Sequence, residues 1–582
     1  MNENSYAVSD FRTDNEFKFD GDLTKRKLKQ YFPAMLMTNL STLLLITVDG
    51  LVVGNFCGSN ALSSVNIFQP ATVAIGIISM VISAGASARL SQGMGQIDIK
   101  GLYKTRSTLR VVMILTAIFI SLAQIPLVYL IISSYHLSPD MNSLVWSYAI
   151  GIMISSPFGL ISSIGVLQLQ IIGKMKVLMG LAALEGAVNL LLDLLFVGPL
   201  NLGVAGAGYG TAAANVVRCT TTLVYLIWKT DLFKTGGEKP SLREAKEILV
   251  LGLPDSANQA MMALQNYVIV AVLLMAFGES GGTIKGVCGF AFSIANALVG
   301  GVAGSVRPLC GLFSGAENFK GLRVLMRQGI GAATFISILF MVAIEFFPEL
   351  LYSLNGVKDI PAGGIASLRI YAIYFIFLGT NELLRLYFTN RKIYKFSTAL
   401  TIIGNATLPL FAFIFAQLFA PEWVWFSYFV THAIIFVANL IRYFIELSRD
   451  KKKRDDNEKD IYLTVNPAEA VECSRQIRSY AKEQGINSKH AFRAALCVEE
   501  MAAYAEKTHD SKEVDIQVMI RFMKDNAILM IIDDGKCIYL NNEEANQKIV
   551  TSNYGLLKKL SKSVEYQYVL DMNYTVCRYG MG

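Results

Sequence analysis

Long apolar runs separated by short polar turns make up most of the chain. Each run is about 20 residues or longer, which is the length that a helix needs to cross a bilayer. The runs lie at 31–54, 62–88, 109–133, 143–168, 177–198, 203–228, 247–277, 286–310, 329–348, 364–384, 396–419 and 422–446. The pattern predicts an all-α polytopic membrane protein with twelve transmembrane helices.

Basic residues alternate with the runs. Lys and Arg follow the second, fourth, sixth, eighth, tenth and twelfth runs, whereas the turns at 55–60, 198–202 and 420–422 contain neither. Loops rich in Lys and Arg stay in the cytoplasm. We therefore expect a multi-pass protein of the plasma membrane with both termini cytoplasmic.

An internal repeat divides the apolar part in two. The segment Gly95-Gln-Ile-Asp-Ile-Lys-Gly-Leu102 matches Gly315-Ala-Glu-Asn-Phe-Lys-Gly-Leu322, and Asn189 corresponds to Asn405. Parallel repeats build many transporters, with a binding site between the two copies. The repeat predicts two six-helix lobes, over 26–230 and 247–447, joined by a cytoplasmic linker at 231–246.

Composition supports a membrane protein. The 582 residues are 53% hydrophobic and 17% charged, against about 25% charged in soluble domains. The net charge of +7 comes from the loops, so we expect no nucleic-acid partner. The eight cysteines are scattered without a CxxC pair, which argues against a zinc site or a disulfide framework. The polar N-terminus, 1–25, lacks the apolar stretch of a signal peptide.

A few oxygen-bearing side chains within the first six runs are candidates for chemistry. An ionised Asp at the centre of a membrane helix costs about 2.5–3.5 kcal/mol, so each such residue is a functional candidate. Asp49 lies in the first run, and Asn189 and Asp193 lie four residues apart in the fifth, on one helical face. Thr211 follows the Gly-rich stretch 203–210 of the sixth run. Together they predict one small cation site.

The second half differs from the first. The counterpart of Asp193 is Pro409, so the acid is lost, while Glu382 is an acid of its own. We expect Glu382 either to contact substrate in a central cavity or to pair with Arg385, three residues on. Glu185, one turn before Asn189, either belongs to the cation site or points into the cavity.

These residues carry a resemblance to a known family. Val48-Asp-Gly50, Asn189-Leu-Leu-Leu-Asp193 and Gly203-Val-Ala-Gly-Ala207 resemble the multidrug and toxic compound extrusion (MATE) transporters, over about residues 25–447. That family consists of twelve-helix antiporters that export organic cations and other amphipathic compounds against Na⁺ or H⁺.

The resemblance implies roles for single residues. Asp49 and Asp193 would bind Na⁺ or a proton, and Asn189 and Thr211 would complete the shell. No GxxxxGK[ST] motif occurs, so the expectation is a secondary transporter, acting as a monomer on small amphipathic molecules in the lipid bilayer, and not an enzyme.

The sequence after a charged linker at 448–460 is typical of a soluble domain, 461–582. Helices are predicted at 467–484, 488–507 and 554–562. Strands are predicted at 514–520, 527–533, 564–570 and 574–579. This order predicts a small C-terminal α+β sandwich.

The domain resembles the GHKL-type ATPase domain of anti-sigma-factor kinases. Glu500, Asp533, Gly535 and Gly555 match residues that bind nucleotide in that family, whereas Tyr504 stands where the family has a magnesium-binding Asn. The resemblance leaves ATP binding at the tail doubtful and implies no kinase activity. The alternative is a degenerate fold kept as a regulatory domain or as a docking site for a cytoplasmic protein.

Two further functions remain open. A flippase for lipid-linked precursors has a related two-lobe plan and would need free basic side chains, for which Arg218 and Arg307 are candidates. A membrane receptor with an ATP-binding signalling tail is the other alternative.

Overall fold

The computed structural model divides into two compact units. It describes residues 19, 21–57, 59–96, 98–135, 138–229, 237–278, 280–457, 459–508, 516–523, 526–535 and 553–580. One unit, called here the membrane unit, runs from Lys27 to Ile445, and the other, the tail unit, combines Met1–Arg26 with Glu446–Gly582.

Helices form the whole membrane unit among the described residues. The first six are α1 (Asp22–Cys57), α2 (Ser59–Gln96), α3 (Ile99–Tyr135), α4 (Pro139–Ile171), α5 (Met175–Val197) and α6 (Val204–Lys229). The rest are α7 (Leu242–Phe277), α8 (Ser280–Gly315), α9 (Phe319–Phe346), α10 (Pro348–Leu354), α11 (Gly364–Ala372), α12 (Phe375–Asn390), α13 (Tyr394–Leu418) and α14 (Phe426–Asn457), with a 3-10 turn at Pro421–Trp425.

Ten stretches of the described chain are long and apolar enough to cross a membrane. One of them, Gly364–Asn390, joins α11 and α12. A polytopic helical membrane protein is therefore confirmed, while the count of twelve spans stays a prediction.

The charged linker predicted at 448–460 is not an irregular segment. Helix α14 continues to Asn457, and a strand begins at Lys459. Lys and Arg are good helix formers, so this basic run extends a membrane helix instead of interrupting the structure. The short α10 and the break between α11 and α12 also differ from the predicted runs.

Neighbouring helices pack within each half of the membrane unit. In the first half α4 packs on α6 and α2, and α5 packs on α6; in the second half α7 packs on α13, and α9 packs on α8 and α12. Small residues allow the closest approach: a Cβ on Gly151 would lie 2.3 Å from the backbone carbon of Gly208. Close packing of this kind replaces the hydrophobic effect between helices in lipid.

The repeated GxxxxKGL turn has the same geometry in both halves. The backbone N–H of Gly101 donates to Oδ1 of Asp98 at 2.9 Å, and that of Gly321 donates to Oδ1 of Asn318 at 2.8 Å. Each side chain satisfies a free N–H at the start of a helix, α3 or α9. The sequence repeat is thus also a structural repeat at this turn.

The first glycines of the two repeats lie against each other. A Cβ on Gly95 would lie 2.1 Å from the carbonyl oxygen of Leu312, and one on Gly315 would lie 2.2 Å from that of Gln92. Any side chain at either position would push α2 away from α8.

The tail unit contains a five-stranded sheet among its described residues. The strands are β1 (Lys459–Val465), β2 (Ile516–Phe522), β3 (Asn526–Asp533), β4 (Ser563–Val569) and β5 (Met572–Gly580), in the order β1-β2-β3-β5-β4 with every pair antiparallel. The helices are α15 (Ala470–Glu483), α16 (Ser488–Thr508) and α17 (Asn553–Leu560), after a 3-10 turn at Pro467–Glu469. The small α+β domain is confirmed, and β1 is an additional strand that begins at the end of the predicted linker.

One face of the sheet packs on the helices. Val518, Ile531 and Leu529 from the strands meet Ile477 and Val498 from α15 and α16 in a continuous core. The β2 strand is buried along its whole length, so its second face is covered as well.

Phe19 and residues in the first turn of α1 pack with this domain. The ring of Phe19 lies edge-on to that of Tyr462, with centroids 6.4 Å apart. Gln517 donates from Nε2 to Oγ1 of Thr24 at 3.4 Å, and Leu23 is 2% exposed. The beginning and the end of the chain therefore belong to one packed unit.

Substitutions at the repeated glycines test the close contact between α2 and α8. We expect Gly95→Ala and Gly315→Ala each to destabilise the protein by about 1–3 kcal/mol because the added methyl overpacks a backbone contact. Thermal unfolding in detergent measures the loss. Gly331→Ala is the matched control, since nothing lies within 4 Å of a Cβ at that mid-helix position; equal stability of all three variants would contradict the contact.

Candidate functional site

Three polar residues line one face of α5. Glu185, Asn189 and Asp193 follow one another at intervals of four residues, which places them in a row along the helix. Their exposed fractions are 2%, 1% and 0%. Burial of two acids and an amide in a membrane helix is costly. This face of α5 is therefore a candidate functional site.

Helix α6 completes the cluster around Asp193. Asn189 Nδ2 lies 3.4 Å from Oγ1 of Thr211, within hydrogen-bonding distance. A Cβ on Gly210 would lie 2.0 Å from Oδ1 of Asp193, so only glycine leaves room for that carboxylate. The structure therefore places Asn189 beside Thr211, and Asp193 beside Gly210, the residue before Thr211.

Sequence reasoning missed two residues that hold Thr211 in place. Asn215 donates from Nδ2 to Oγ of Ser155 at 2.8 Å and to the backbone carbonyl of Thr211 at 3.1 Å. Asn215 lies one turn after Thr211 on the same helix, and this spacing is the feature of the sequence that could have identified it. The contact ties α4 to the part of α6 that faces Asn189.

Asp49, the fourth predicted ligand, lies within α1, but its side chain is outside the described residues. Its place in the cation site stays a prediction. No group of three or more His, Cys, Asp or Glu residues is arranged to bind a metal ion in the described part of the chain. The donors that the structure does place are one carboxylate, one amide and one hydroxyl, which are hard oxygen ligands.

Glu185 has an ion-pair partner. Nη1 of Arg218, on α6, lies 2.5 Å from one carboxylate oxygen of Glu185 and 2.6 Å from the other. The side chains are only 3% and 14% exposed. Glu185 thus belongs to the same polar row as Asn189, with its charge compensated by a buried guanidinium.

A second charged cluster occupies the other half. Asp255, on α7, accepts hydrogen bonds from Arg307 of α8, at 2.7 Å, and from Arg385 of α12. Arg385 also pairs with Glu382. Of the two expectations for Glu382, the structure shows the pair with Arg385.

The position of Asp255 at the centre of this cluster was missed. It stands next to Pro254 within α7, and its partners are 52 and 130 residues away in sequence. No spacing rule connects them. Asp255 is 1% exposed, and two acids with two guanidiniums give the cluster no net charge.

The candidate nucleotide residues of the tail lie on packed elements. Asp533 ends β3 and accepts, through Oδ1, from the backbone N–H of Gly535 at 2.9 Å and from Nδ2 of Asn573 at 2.7 Å. Glu500 is on α16, which packs on β3 and on α17, and Gly555 is buried in α17. Tyr504 packs against the domain core, and its side chain has a phenolic hydroxyl in place of an amide oxygen.

Two buried thiols among the described residues of the tail, Cys497 and Cys577, are unreactive. Burial raises the pKa of Cys497 to about 11 and also raises the pKa of Cys577. Both thiols are therefore protonated at neutral pH and neither is a good nucleophile or metal ligand. The seven described cysteines are all free.

Removing Arg385 tests the charge compensation in the second half. We expect Arg385→Gln to lower the free energy of unfolding by about 3–5 kcal/mol, because it leaves the buried carboxylates of Asp255 and Glu382 short of positive charge. Arg369→Gln breaks an ion pair whose side chains are 47% and 39% exposed, and we expect a loss below about 1 kcal/mol. Similar unfolding curves for the two variants would contradict the cluster.

Comparisons with known proteins agree with this architecture. The chain is similar to the probable multidrug resistance protein YpnP of Bacillus subtilis (24% identical over 238 residues, 40% of this chain and 52% of that protein). It is also similar to the probable multidrug resistance protein NorM of Pseudomonas putida (26% identical over 165 residues, 28% of this chain and 36% of that protein). The matches span about half or less of these relatives.

Solved structures share the fold over most of the chain. A crystal structure of MATE in complex with MaL6 has a TM-score of 0.69 at 21% identity, covering 74% of this chain and 97% of that one. A MOP superfamily transporter from Pyrococcus furiosus has the same TM-score and coverage at 20% identity. The MatE family matches residues 33–195 and 259–414, more than half of the 582 residues. The chain therefore belongs to the MatE family.

Proposed function

We propose that this protein is a cation-coupled antiporter that exports small amphipathic or cationic compounds. In this proposal twelve helices form two six-helix lobes, which open alternately to the two sides of the membrane. The observation that carries the proposal is the cluster of the buried Asn189 and Asp193 with the half-buried Thr211, closed by Gly210. Two relatives of the chain bear names that refer to multidrug resistance.

The coupling ion in this mechanism is Na⁺ or H⁺. An ionised Asp193 is costly inside a membrane, and binding of either cation removes that cost. The amide oxygen of Asn189 and the hydroxyl of Thr211 supply further ligands, and Asp49 supplies the second carboxylate. When the cation dissociates on the other side of the membrane, the negative charge of Asp193 returns. The cation-bound and cation-free forms of the protein therefore favour different arrangements of the helices.

The flippase alternative has less support. Holding a pyrophosphate requires cationic side chains that are not already neutralised. Arg218 is bonded to Glu185, and Arg307 and Arg385 are bonded to Asp255. The basic candidates named from the sequence are therefore occupied by carboxylates.

Both termini are proposed to face the cytoplasm of a plasma-membrane protein. The positive-inside distribution of Lys and Arg supports this orientation. The contacts of Phe19 and Thr24 with the C-terminal sheet support an even number of crossings, because they require both chain ends on one side.

The tail is proposed to regulate transport as a GHKL-like domain or to dock a cytoplasmic protein. The order of its helices and strands and the buried Asp533, held by Gly535 and Asn573, support the resemblance. The core position of Tyr504 argues against magnesium-dependent kinase chemistry. In the receptor alternative, this domain would instead be the ATP-binding part that produces the signal.

Efflux of a fluorescent cationic dye from expressing cells tests the transport proposal. We expect Asp193→Asn and Asp49→Asn to abolish coupled efflux while the protein still folds, because an amide does not carry the charge that the cation compensates. Gly210→Ala should reduce efflux by about tenfold or more, since it displaces the Asp193 carboxylate.

The matched control is Gly180→Ala on α5, where nothing lies within 4 Å of a Cβ. We expect this variant to export dye as the parent does. Parental efflux by both Asp193→Asn and Gly210→Ala would show that the cluster does not bind the coupling cation.

Nucleotide binding by the full-length protein tests the proposal for the tail. If the domain is degenerate, a fluorescent ATP analogue should bind no better to the parent than to Asp533→Asn, which alters the buried carboxylate. Tight, magnesium-dependent binding that Asp533→Asn removes would instead favour the receptor alternative.

A further inference from the structure

The two halves of the membrane unit meet backbone to backbone along the second part of α2. A Cβ on Gly252 of α7 would lie 1.8 Å from the carbonyl oxygen of Val81, and one on Gly85 would lie 1.8 Å from that of Ile248. Neither position has room for any side chain. At this crossing α2 and α7 are in backbone contact.

An ion pair crosses between the halves one turn further along. Arg89 of α2 donates from Nε and Nη2 to the two carboxylate oxygens of Glu244 on α7, both at 3.1 Å. The two side chains are 12% and 11% exposed. Thr105 of α3 donates to the same carboxylate at 2.9 Å, so the first half holds Glu244 with three hydrogen bonds.

A second carboxylate extends the pair. Glu247, also on α7, lies 3.6 Å from Nε of Arg89 and accepts from Nζ of Lys392 at 3.4 Å. Arg89, Thr105, Glu244, Glu247 and Lys392 are called here the α2–α7 latch. Its groups come from both halves, and its centre is the bidentate Arg89–Glu244 contact.

The end of α2 closes against the second half as well. Gln92 donates from Nε2 to the backbone carbonyl of Asn390 at 2.9 Å. A Cβ on Gly311 of α8 would lie 2.2 Å from Cβ of Ser91. With the Gly95–Gly315 contact, these interactions seal α2 to α7, α8 and the end of α12 from Val81 to Gly95.

The first part of α2 has other partners. Val65, Phe68 and Ala71 pack in a cluster with Tyr148 and Ala149 of α4, in their own half. Helix α2 therefore belongs to its own half along one part and crosses to the opposite half along the other. The described contacts of α2 between the halves concentrate at one end of the bundle.

We propose that the α2–α7 latch keeps this end of the passage between the halves closed, and that its opening is the step that gives substrate access there. The inference rests on the alternating access of the proposed function. It adds which contact must break, and it assigns a role to Arg89 and Glu244, which do not belong to the cation cluster.

The ion pair is the part of the seal that sets the balance between closed and open. The glycine contacts are short-range packing that weakens steeply with separation, and they act only once the halves are together. A bidentate pair of largely buried charges is strong and directional. Separation of the halves must break it, so its strength decides how often this end opens.

Chemical labelling of a cysteine in the seal measures that opening directly. Ser91→Cys places a thiol of similar size at a position that is 2% exposed, and mass spectrometry follows its reaction with N-ethylmaleimide in the purified full-length protein. We expect Glu244→Gln to speed labelling by about tenfold. The charge-swapped pair Arg89→Glu with Glu244→Arg should return the rate toward that of the parent.

Arg369→Gln is the matched control, because it breaks an exposed ion pair with Glu345 inside the second half. Its labelling rate should stay within about twofold of the parent. Thr105→Val removes one hydrogen bond to Glu244 and should speed labelling by about threefold; it replaces Glu244→Gln if that variant does not fold.

Labelling of residue 91 at the parental rate in folded Glu244→Gln and Thr105→Val would overturn the latch. The same result would follow if Arg369→Gln accelerated labelling as much as Glu244→Gln. Labelling does not require transport, so a parent protein that exports no compound would count against the proposed function and leave this test intact.

Discussion

The cost of charge inside a bilayer governs the membrane unit. Each ionised group there needs a partner of opposite charge, and a carboxylate without one is stabilised when it binds a cation. Asp255 and Glu382 are compensated by arginines, as is Glu185. Near Asp193 the structure places Gly210 and, through Asn189 and Thr211, an amide and a hydroxyl. Asp193 is the carboxylate proposed to carry the coupling ion.

Glycine decides where helices touch. Within lipid no hydrophobic effect drives helices together, so close contact between small residues takes its place. Gly210 admits the Asp193 carboxylate, Gly95 and Gly315 let the repeated segments meet, and Gly85 and Gly252 bring α2 against α7. Glycine thus shapes both the cation cluster and the contact between the halves. A methyl group at any of these positions would disturb either the cluster or the contact.

Much of this architecture follows from local sequence patterns. Apolar runs indicate the membrane helices, the repeated GxxxxKGL segment corresponds to two turns with the same hydrogen bond, and the spacing of four residues gives the polar face of α5. The i,i+3 relation between Glu382 and Arg385 also made their pairing one of two expectations. Patterns of this kind are visible because helix geometry connects residues a few positions apart.

Contacts between distant segments were not predictable in this way. Asp255 meets Arg385 across 130 residues, and Arg89 meets Glu244 across 155. The packing of Phe19 and Thr24 on the C-terminal sheet and the formation of strand β1 depend equally on the folded partner. The first of these contacts compensates the charge of Asp255 in the second half, and the second joins the two halves.

An imposed ion gradient across proteoliposomes tests the central claim most directly. An inward gradient of Na⁺ or of H⁺, without ATP, should drive export of a cationic dye by the parent protein, and Asp193→Asn should lose that response while binding of the dye persists. Equal gradient-driven export by the parent and by Asp193→Asn would contradict the account.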